Sequence, residues 1–353
     1  MSTGVSVLIC TKNGAGRLPE TLAHLAAQQV PKDLPWEILL VDNGSTDGTL
    51  EVAVQLWPNP APAPLIVLSE PRSGKTNALE LGWRKSRYPV VIIVDDDNWL
   101  EPDYVSVTAS IFAAWPEVAV TNGYSAGAFE EEPPKWFQRF LPIYAISIES
   151  WPSGDVTGTL PIPFGAGMGI RKAAVDALYR DGFQYLLRGR TKDQMGGEDM
   201  ELCTALKLGG WHWWRDKRLK LRHFMPSGRL RWAHCRRLGR GGGAAYARLD
   251  LYGLGMEPPP AGPLAGIKET WPWLFMRSLK PLVVKPLLLA RCLFTEGEGN
   301  EEIFWMETRI GRVIGVLRFR SEIHASIKAL RAAVWIRTRT VSTGRGQRFR
   351  EVA

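Results

Sequence analysis

The sequence predicts an α/β fold in which a mostly parallel β-sheet is covered by helices on both faces. Short runs of Val, Ile and Leu recur over residues 1–120, as in strands that are buried on both faces. Segments with apolar residues at helical spacing separate these runs, which is the alternation expected where crossover helices join parallel strands. Each run also ends in polar residues, at the sheet edge where ligands of such folds bind.

Four strands and three helices are expected in this region, in alternating order. The apolar runs predict strands over Val5–Cys10, Glu37–Val41, Leu65–Leu68 and Val90–Val94. Helices are predicted where Leu18, Leu22, Leu25 and Ala26 repeat at helical spacing, from a cap at Ser45, Thr46 or Asp47 through Leu56, and over Thr76–Arg87.

The composition excludes several classes of protein. The chain has 353 residues, of which 45% are hydrophobic and 23% charged, as in globular proteins. It has no run of about 18 apolar residues that would predict a transmembrane helix, and its first apolar run is too short for a signal peptide. Its four cysteines form no Cys-x-x-Cys pair, which argues against a disulfide scaffold or a zinc site. We expect a cytoplasmic protein, or one held peripherally on the cytoplasmic face of the cell membrane.

The positive charge is concentrated near the C-terminus. From Ile303 onward, 11 Lys and Arg face three acidic residues, and this difference equals the net charge of +8 of the whole chain. Apolar residues recur there at helical spacing, so basic amphipathic helices are predicted. They could contact an anionic membrane surface, pack on the main domain, or form a homodimer. No nucleic-acid partner is expected, because the rest of the chain is neutral and contains no nucleic-acid-binding module.

Three consecutive aspartates follow the fourth apolar run, in VVIIVDDDNWLEPD. Asp95, Asp96 and Asp97 would repel one another at the end of a buried strand, and a divalent cation would remove that repulsion. Mg²⁺ and Mn²⁺ prefer such oxygen ligands, and Mg²⁺ commonly binds together with substrate phosphates. The alternative is a solvated turn whose acids cap the next helix.

Two further motifs are candidates for the chemistry. Glu198 and Asp199 begin a helical pattern in GGEDMELCTALKLGG. A carboxylate there could act as a general base, or it could only cap the helix. His223, in LKLRHFMPSGRL, is a candidate metal ligand or a structural histidine.

Two glycine-containing segments suggest phosphate binding. Arg231, Arg236, Arg237 and Arg240 precede Gly241–Gly243. These arginines could bind phosphate oxygens, or they could form a basic surface beside a flexible turn. The segment SEPRSGKT partly matches a P-loop, which would predict an enzyme acting on nucleoside triphosphates. It lacks the first glycine of that motif and does not follow the first strand, so this function is kept only as the alternative.

Taken together, the motifs resemble those of family 2 glycosyltransferases with the GT-A fold, over roughly residues 4–245. The matching segments are VSVLICTKNGAGRLPETLAHLAAQ, EILLVDNGSTDGT, IVDDDNWLEPDYV, PFGAGMGIRKAAV and GGEDMELCTALKLGGW. The segment RLRWAHCRRLGRGGGAAY is similar to those of bacterial exopolysaccharide transferases, including the hormogonium polysaccharide type. The Gln-x-x-Arg-Trp motif of processive synthases is absent, which favours the addition of one sugar.

The resemblance implies a role for each candidate residue. Thr11, Asp42, Lys75 and Asn77 would contact the donor nucleotide, with Asp42 at the base. Asp95 would face the ribose, and Asp96 would occupy the variable position of the DxD motif, with a frame of Asp96 and Asp97 as the alternative. Asp97, with Asp95 and His223, would bind Mn²⁺ or Mg²⁺. Asp199, or alternatively Glu198, would deprotonate the acceptor hydroxyl.

The resemblance also implies the substrates and the domains. The donor would be a nucleoside-diphosphate sugar, with UDP the commonest nucleotide, and the acceptor would be a glycan or a lipid-linked saccharide. Residues 1–250 would form the GT-A domain, with the nucleotide-sugar-binding half at 1–120 and the acceptor-binding half at 121–250. Residues 262–353 would form a basic helical extension, joined through a Pro-rich linker at Pro258–Pro263.

Overall fold

The computed structural model of the protein describes residues 4–159, 161–187, 196–257 and 265–337. The chain divides into two compact units. The first comprises Met1–Glu130, Tyr144–Leu178 and Trp211–Met225, and the second comprises Glu131–Ile143, Tyr179–Gly210 and Pro226–Ala353. The chain therefore passes several times between the units. The predicted division into residues 1–250 and 262–353 stays a prediction.

A mixed β-sheet forms the centre of the first unit. Its described strands are β1 (Val5–Thr11), β2 (Trp36–Asp42), β3 (Leu65–Ser69), β4 (Val90–Asp95), β5 (Asn98–Leu100), β6 (Val118–Phe129), β7 (Gly154–Asp155), β8 (Met168–Arg171) and β9 (His212–Met225). They lie in the order β3-β2-β1-β4-β8-β6-β9-β5, with β7 beside β9.

The four predicted strands are the parallel part of this sheet. β3, β2, β1 and β4 are parallel neighbours. β8 runs antiparallel to both β4 and β6, while β9 is parallel to β6 and antiparallel to β5. The predicted α/β class with a mostly parallel sheet is confirmed.

The parallel strands bury side chains on both faces, as their unbroken apolar runs predict. Helix α1 (Leu18–Ala26) contributes Leu22 to the core cluster that contains Val7, whereas α3 (Lys75–Lys85) contributes Ala78 to the cluster that contains Leu8. Neighbouring residues of a strand point to opposite faces, so α1 and α3 cover opposite faces of the sheet.

Two predicted helix ends differ from the structure. Helix α2 (Thr49–Leu56) begins after Gly48, whose φ is +77°, rather than at Ser45–Asp47. The side chain of Asp47 accepts a hydrogen bond from the Thr49 amide at 3.2 Å. Helix α3 ends at Lys85 instead of Arg87, because the Arg87 amide donates to the buried Glu37 carboxylate at 2.8 Å.

Helices form most of the described second unit, and α4 (Tyr104–Ala114) and most of α5 (Lys172–Arg180) belong to the first. The helices of the second unit are α6 (Glu198–Leu208), α7 (Trp232–Met256), α8 (Trp271–Val284), α9 (Pro286–Phe294), α10 (Glu301–Arg318) and α11 (Ile323–Ala332). None of the helices in the described ranges is both long enough and apolar enough to span a lipid bilayer. The predicted linker at Pro258–Pro263 lies outside the described residues.

The Arg- and Gly-rich segment is not a loop but the first half of α7. Arg236 and Arg240 donate through their Nε atoms to the two carboxylate oxygens of Glu307, at 2.8 and 2.7 Å. Glu307 lies on α10 and is fully buried. These two arginines therefore stabilise the packing of α7 on α10, which differs from both interpretations of the segment.

Close approach of the two helix backbones explains the glycines at this crossing. A Cβ atom on Gly243 of α7 would lie 2.0 Å from the Thr308 carbonyl oxygen, and one on Gly311 of α10 would lie 2.0 Å from the Arg240 carbonyl oxygen. No side chain fits at either position without moving the backbone, so the glycines set the spacing of α7 and α10.

Substituting Gly243→Ala should therefore lower the free energy of unfolding by about 1–3 kcal/mol, the usual cost of overpacking. The matched control is Gly242→Ala, since a Cβ there meets only Tyr246 at 3.9 Å. The control should leave stability unchanged or raise it by up to ~1 kcal/mol, because alanine favours helix. Urea denaturation of both variants measures this, and equal effects would contradict the close helix packing.

Candidate functional site

The strand ends bring the predicted donor-site residues to one edge of the sheet. Thr11, the last residue of β1, is paired in register with Asp42, the last residue of β2. Cys10 of β1 is paired with Asp95, the last residue of β4. Both Thr11 and Asp42 are buried. The structure thus confirms that polar residues gather at the carboxyl edge of the sheet. The roles of these residues in binding stay predictions.

The middle aspartate of the triplet is bound by its neighbours within the protein. Arg17 donates from Nε and Nη2 to the two carboxylate oxygens of Asp96, at 3.0 and 2.8 Å, and the Thr11 hydroxyl donates to Oδ2 at 2.7 Å. The hydrogen bond to Asp96 raises the pKa of Arg17. This geometry favours a positioning role for Asp96 over direct contact with the donor.

A glycine makes room for this cluster. A Cβ atom on Gly14 would lie 2.2 Å from the Thr11 hydroxyl and 2.6 Å from Asp96 Oδ2. Arg17 and Gly14 were not singled out from the sequence as site residues. The available signal was the Gly-x-x-Arg spacing directly after the first strand.

The first aspartate faces the start of α3. Lys75, the first residue of α3, donates from Nζ to Asp95 Oδ1. Asn77 lies in the same first turn, and its amide donates to the Ser73 carbonyl at 3.1 Å. Lys75, Asn77 and Asp95 thus belong to one corner of the sheet edge. The segment SEPRSGKT, which partly matches a P-loop, begins at the last residue of β3 and therefore does not follow the first strand.

The side chain of Asn43, which was not selected from the sequence as functional, organises the loop before α3. Asn43 donates from Nδ2 to the carbonyls of Glu70 and Arg72, both at 2.8 Å, and its Oδ1 accepts from the Gly74 amide at 2.7 Å. Asp42, beside it, accepts from the Ser45 amide at 3.2 Å. A buried amide directly after a strand and before a Gly-Ser turn was the signal for this role.

The third aspartate faces His223. Pairing of β5 with β9 places Asn98 opposite His223, and His223 Nε2 lies 3.4 Å from Asp97 Oδ1. The other ring nitrogen, Nδ1, lies 3.0 Å from the Tyr144 carbonyl oxygen. A carbonyl only accepts hydrogen bonds, so Nδ1 carries a proton and Nε2 faces the carboxylate. A proton or a cation between Nε2 and Asp97 satisfies both atoms.

Asp97 and His223 fit a divalent cation as a pair of ligands. Both are buried, and metal-binding histidines usually hold a carbonyl with their second nitrogen, as His223 does. Across the described ranges of the chain, no three His, Cys, Asp or Glu side chains form a cluster suited to a metal. Two protein ligands suffice where substrate phosphates complete the shell, so Asp95 need not join them.

The predicted catalytic acids lie in the second unit. Glu198 and Asp199 occupy the first turn of α6 after Gly197, whose φ is +111°, as the sequence predicts. Glu198 is buried and Asp199 is partly exposed. Asp199 Oδ1 accepts a hydrogen bond from the Met200 amide at 2.9 Å. Negative charge at this helix end is favoured by the helix dipole.

A third acid of α6, which the sequence did not mark, anchors this helix. Glu201 accepts hydrogen bonds from the Leu186 amide at 2.5 Å, the Leu187 amide at 2.9 Å and the Tyr252 hydroxyl at 2.6 Å. Burial raises its pKa to about 7. Glu201 therefore ties the start of α6 to the segment before it and to α7.

Comparison with protein families identifies most of the first unit. Residues 6–178, about half of the chain, match the model of glycosyl transferase family 2. The chain contains a family 2 glycosyltransferase domain. Over these residues, the resemblance that the strand-end motifs suggested is confirmed.

Curated relatives match this family 2 domain over short segments. An undecaprenyl-phosphate 4-deoxy-4-formamido-L-arabinose transferase of Pectobacterium carotovorum is 34% identical over 105 residues, which are 29% of this chain and 31% of the relative. A poly-beta-1,6-N-acetyl-D-glucosamine synthase of Staphylococcus epidermidis is 26% identical over 120 residues, 34% of this chain and 28% of the relative. The chain thus spans less than a third of the length of these relatives.

A solved structure supports the fold. The mannosyltransferase PcManGT from Pyrobaculum calidifontis, in complex with GDP-Man and Mn²⁺, is similar with a TM-score of 0.54. The match covers 90% of this chain and 86% of the mannosyltransferase at 18% identity. At this identity the similarity supports the GT-A-like fold of the family 2 domain and its helical continuation.

The buried Glu201 predicts a pH-dependent stability. Its folded-state pKa of about 7 lies above the ordinary value of 4.5, so the folded protein holds the proton more tightly than the unfolded chain. The stabilisation is complete below about pH 4.5 and is lost as the pH rises through about 7. The loss from this group should be roughly 3 kcal/mol in the free energy of unfolding.

Glu201→Gln should remove this dependence of the free energy of unfolding on pH between pH 4.5 and 7, even if the substitution lowers stability overall. Glu302→Gln, at an exposed position of α10, is the control and should keep the slope. Urea denaturation at several pH values measures both variants. An unchanged slope in Glu201→Gln would mean that Glu201 titrates normally.

Proposed function

We propose that the protein is an inverting, metal-dependent glycosyltransferase of polysaccharide biosynthesis. It moves one sugar from a nucleoside-diphosphate sugar, a UDP-sugar by preference, to a hydroxyl of a glycan or lipid-linked saccharide. The observation that carries this proposal is the buried Asp97–His223 pair. Asp97 follows the carboxyl end of β4 within the family 2 match. Ligands of such sheets bind beyond these strand ends.

The polar residues of the sheet edge bind the donor nucleotide in this proposal. The carboxylate of Asp42 accepts a hydrogen bond from the base, and Thr11 and Asn77 line the nucleotide. Asp95 binds the ribose hydroxyls, and Lys75, which contacts Asp95, binds the nucleotide or its phosphates. Asp96 holds Thr11 in position through their 2.7 Å hydrogen bond.

Asp97 and His223 would hold the cation, Mn²⁺ or Mg²⁺, at the donor site. When bound, the cation neutralises the negative charge that the leaving diphosphate gains. The protonated Nδ1 of His223, held by the Tyr144 carbonyl, keeps Nε2 available as a ligand. The neighbouring carboxylate, Asp96, is held by Arg17 and would not be needed as a ligand.

Asp199 acts as the general base, with Glu198 as the alternative. Its carboxylate takes the proton of the acceptor hydroxyl while the acceptor oxygen attacks the anomeric carbon. The bond from that carbon to the diphosphate breaks in the same displacement, which inverts the anomeric configuration. The partial exposure of Asp199 and its place in the first turn of α6 support an ionised carboxylate that an acceptor can reach.

A panel of nucleotides tests the donor class. Thermal unfolding is followed with UDP, GDP, dTDP, CMP and ATP, each with and without Mn²⁺. A nucleotide at 100 times its Kd should stabilise the folded state by about 2.7 kcal/mol. Metal-dependent stabilisation by UDP is expected. Stabilisation by ATP alone, lost in Lys75→Ala, would support the nucleoside triphosphate alternative and contradict the proposal.

Asp97→Ala should abolish the metal-dependent part of this nucleotide stabilisation, because it removes one of the two protein ligands. The control is Asp103→Ala, at an exposed position outside the triplet and eight residues after its first member. The control should keep the full metal-dependent stabilisation by the nucleotide. Equal shifts in wild type and Asp97→Ala would place the cation elsewhere.

Asp199→Asn should bind the donor with unchanged affinity but lose about 10²–10⁴-fold in turnover, the usual contribution of a general base. Glu198→Gln, measured in parallel, decides between the two acids. Turnover is measured as release of the nucleoside diphosphate, with the acceptor in excess. Weakened donor binding with normal turnover in Asp199→Asn would contradict its role as the base.

A further inference from the structure

Two adjacent helices of the second unit leave a large apolar surface exposed. Here, the α8–α9 surface means the exposed side chains between Trp271 and Phe294. The most exposed apolar members are at least 58% accessible: Met276, Val283, Val284, Leu287, Leu293 and Phe294. Monomeric proteins rarely expose contiguous apolar area of this kind unless it contacts a partner or a membrane.

The exposed residues follow the helical repeat, so they form a face and not a scatter. In α8, Trp273, Met276, Lys280 and Val283 lie at intervals of three or four residues, and in α9 Leu287, Arg291 and Phe294 do the same. The buried residues Leu274, Leu282 and Cys292 lie between these positions. The two helices therefore have a buried apolar face and, on the outside, a second face that combines apolar and basic residues.

The charged side chains of the α8–α9 surface are all basic, and one of them, Lys285, lies 3.9 Å from Glu302 of α10. Arg277, Lys280, Lys285 and Arg291 are exposed, and no Asp or Glu occurs from Thr270 to Thr295. Long basic side chains can lay their methylene stems on apolar surface while their charged ends reach a polar boundary. Trp271 and Trp273, at the start of α8, are 40% and 43% exposed, and tryptophan favours membrane–water interfaces.

We propose that the α8–α9 surface docks the protein on an anionic lipid bilayer, with its helices lying in the interface. The combination of large exposed apolar residues, tryptophan and purely basic charge matches such a surface in both its apolar and its electrostatic character. The proposal does not rest on the proposed glycosyl transfer, because lipid binding is measured without any donor.

The structure moves the predicted membrane contact to other helices. The sequence pointed to the basic segment from Ile303 onward. Ile323, Ile327 and Leu330 of α11 are instead buried, as are Ile303, Phe304 and Val316 of α10. The apolar face of α11 and part of that of α10 thus pack inside the second unit, although Leu317 of α10 is 37% exposed. On α8 and α9, a larger set of apolar side chains remains exposed.

Two other occupants of this surface are disfavoured by charge. A two-fold dimer brings the same patch of each copy together, so it would place the four basic residues of one copy against those of the other. Residues 338–353 carry four arginines and one glutamate, so this part of the chain would also repel the surface. Lipid phosphates carry the complementary charge.

Vesicle co-sedimentation of the full chain tests the proposal. The vesicles are an equimolar mixture of phosphatidylglycerol and phosphatidylcholine, compared with phosphatidylcholine alone. We expect binding to the anionic vesicles that weakens as salt is added. Absence of binding to the anionic vesicles at low salt would overturn the proposal, as would equal binding to both kinds of vesicle.

Two variants assign the binding to the surface. Arg277→Gln with Lys280→Gln should weaken binding to anionic vesicles about 30-fold, at ~1 kcal/mol for each basic residue near the membrane. Leu287→Ser with Phe294→Ser should weaken it about 100-fold or more, from the lost apolar burial. Both pairs are exposed, so circular dichroism and thermal unfolding should match the wild type.

Matched controls separate the alternatives. Val54→Ser with Leu56→Ser removes two exposed apolar residues of α2 and should leave vesicle binding unchanged. If replacing Arg345, Arg348 and Arg350 by Gln abolished binding while the surface variants bound normally, the C-terminus would be the anchor and the proposal would be wrong. A dimer in light scattering that Leu287→Ser with Phe294→Ser dissociates, without vesicle binding, would equally overturn it.

Discussion

Three adjacent carboxylates at the end of a buried strand are the constraint on which the site depends. Each of them meets a basic group from a different element. Asp95 contacts Lys75 at the start of α3, Asp96 contacts Arg17 before α1, and Asp97 faces His223 on β9. The like charges would otherwise repel one another, so these contacts fix the strand end against three neighbouring elements. They also give each carboxylate a different chemical environment, although the three are consecutive in sequence.

The parallel half of the sheet could be predicted because its signal is local. Uninterrupted apolar runs such as Val90–Val94 occur only where both faces of a strand are covered, and the polar residues after them must share one edge. The antiparallel neighbours β8 and β9 could not be predicted as partners of β4 and β5, because their pairing joins residues far apart in the chain. The helix ends differed where a tertiary contact, such as Arg87 with Glu37, replaced a helical hydrogen bond.

The candidate site, too, has a part that local sequence predicts and a part that it does not. Thr11, Asp42 and Asp97 follow from strand ends, and Thr11 and Asp42 are paired in register. The contacts of Arg17 and Asn43, in contrast, depend on partners more than 25 residues away. Likewise, the arginines of α7 resembled a phosphate site because their buried partner, Glu307, is distant in sequence. Composition alone could not separate a basic surface from arginines that neutralise a buried acid.

The central claim is that the Asp97–His223 pair holds a cation against a donor diphosphate at the carboxyl edge of the sheet. The direct measurement is a crystal structure of the full chain with Mn²⁺ and UDP, with the metal located by its anomalous scattering. The account predicts one peak that contacts Asp97 Oδ1, His223 Nε2 and the diphosphate, with the base near Asp42. A metal peak away from both side chains, or a nucleotide bound elsewhere, would contradict it.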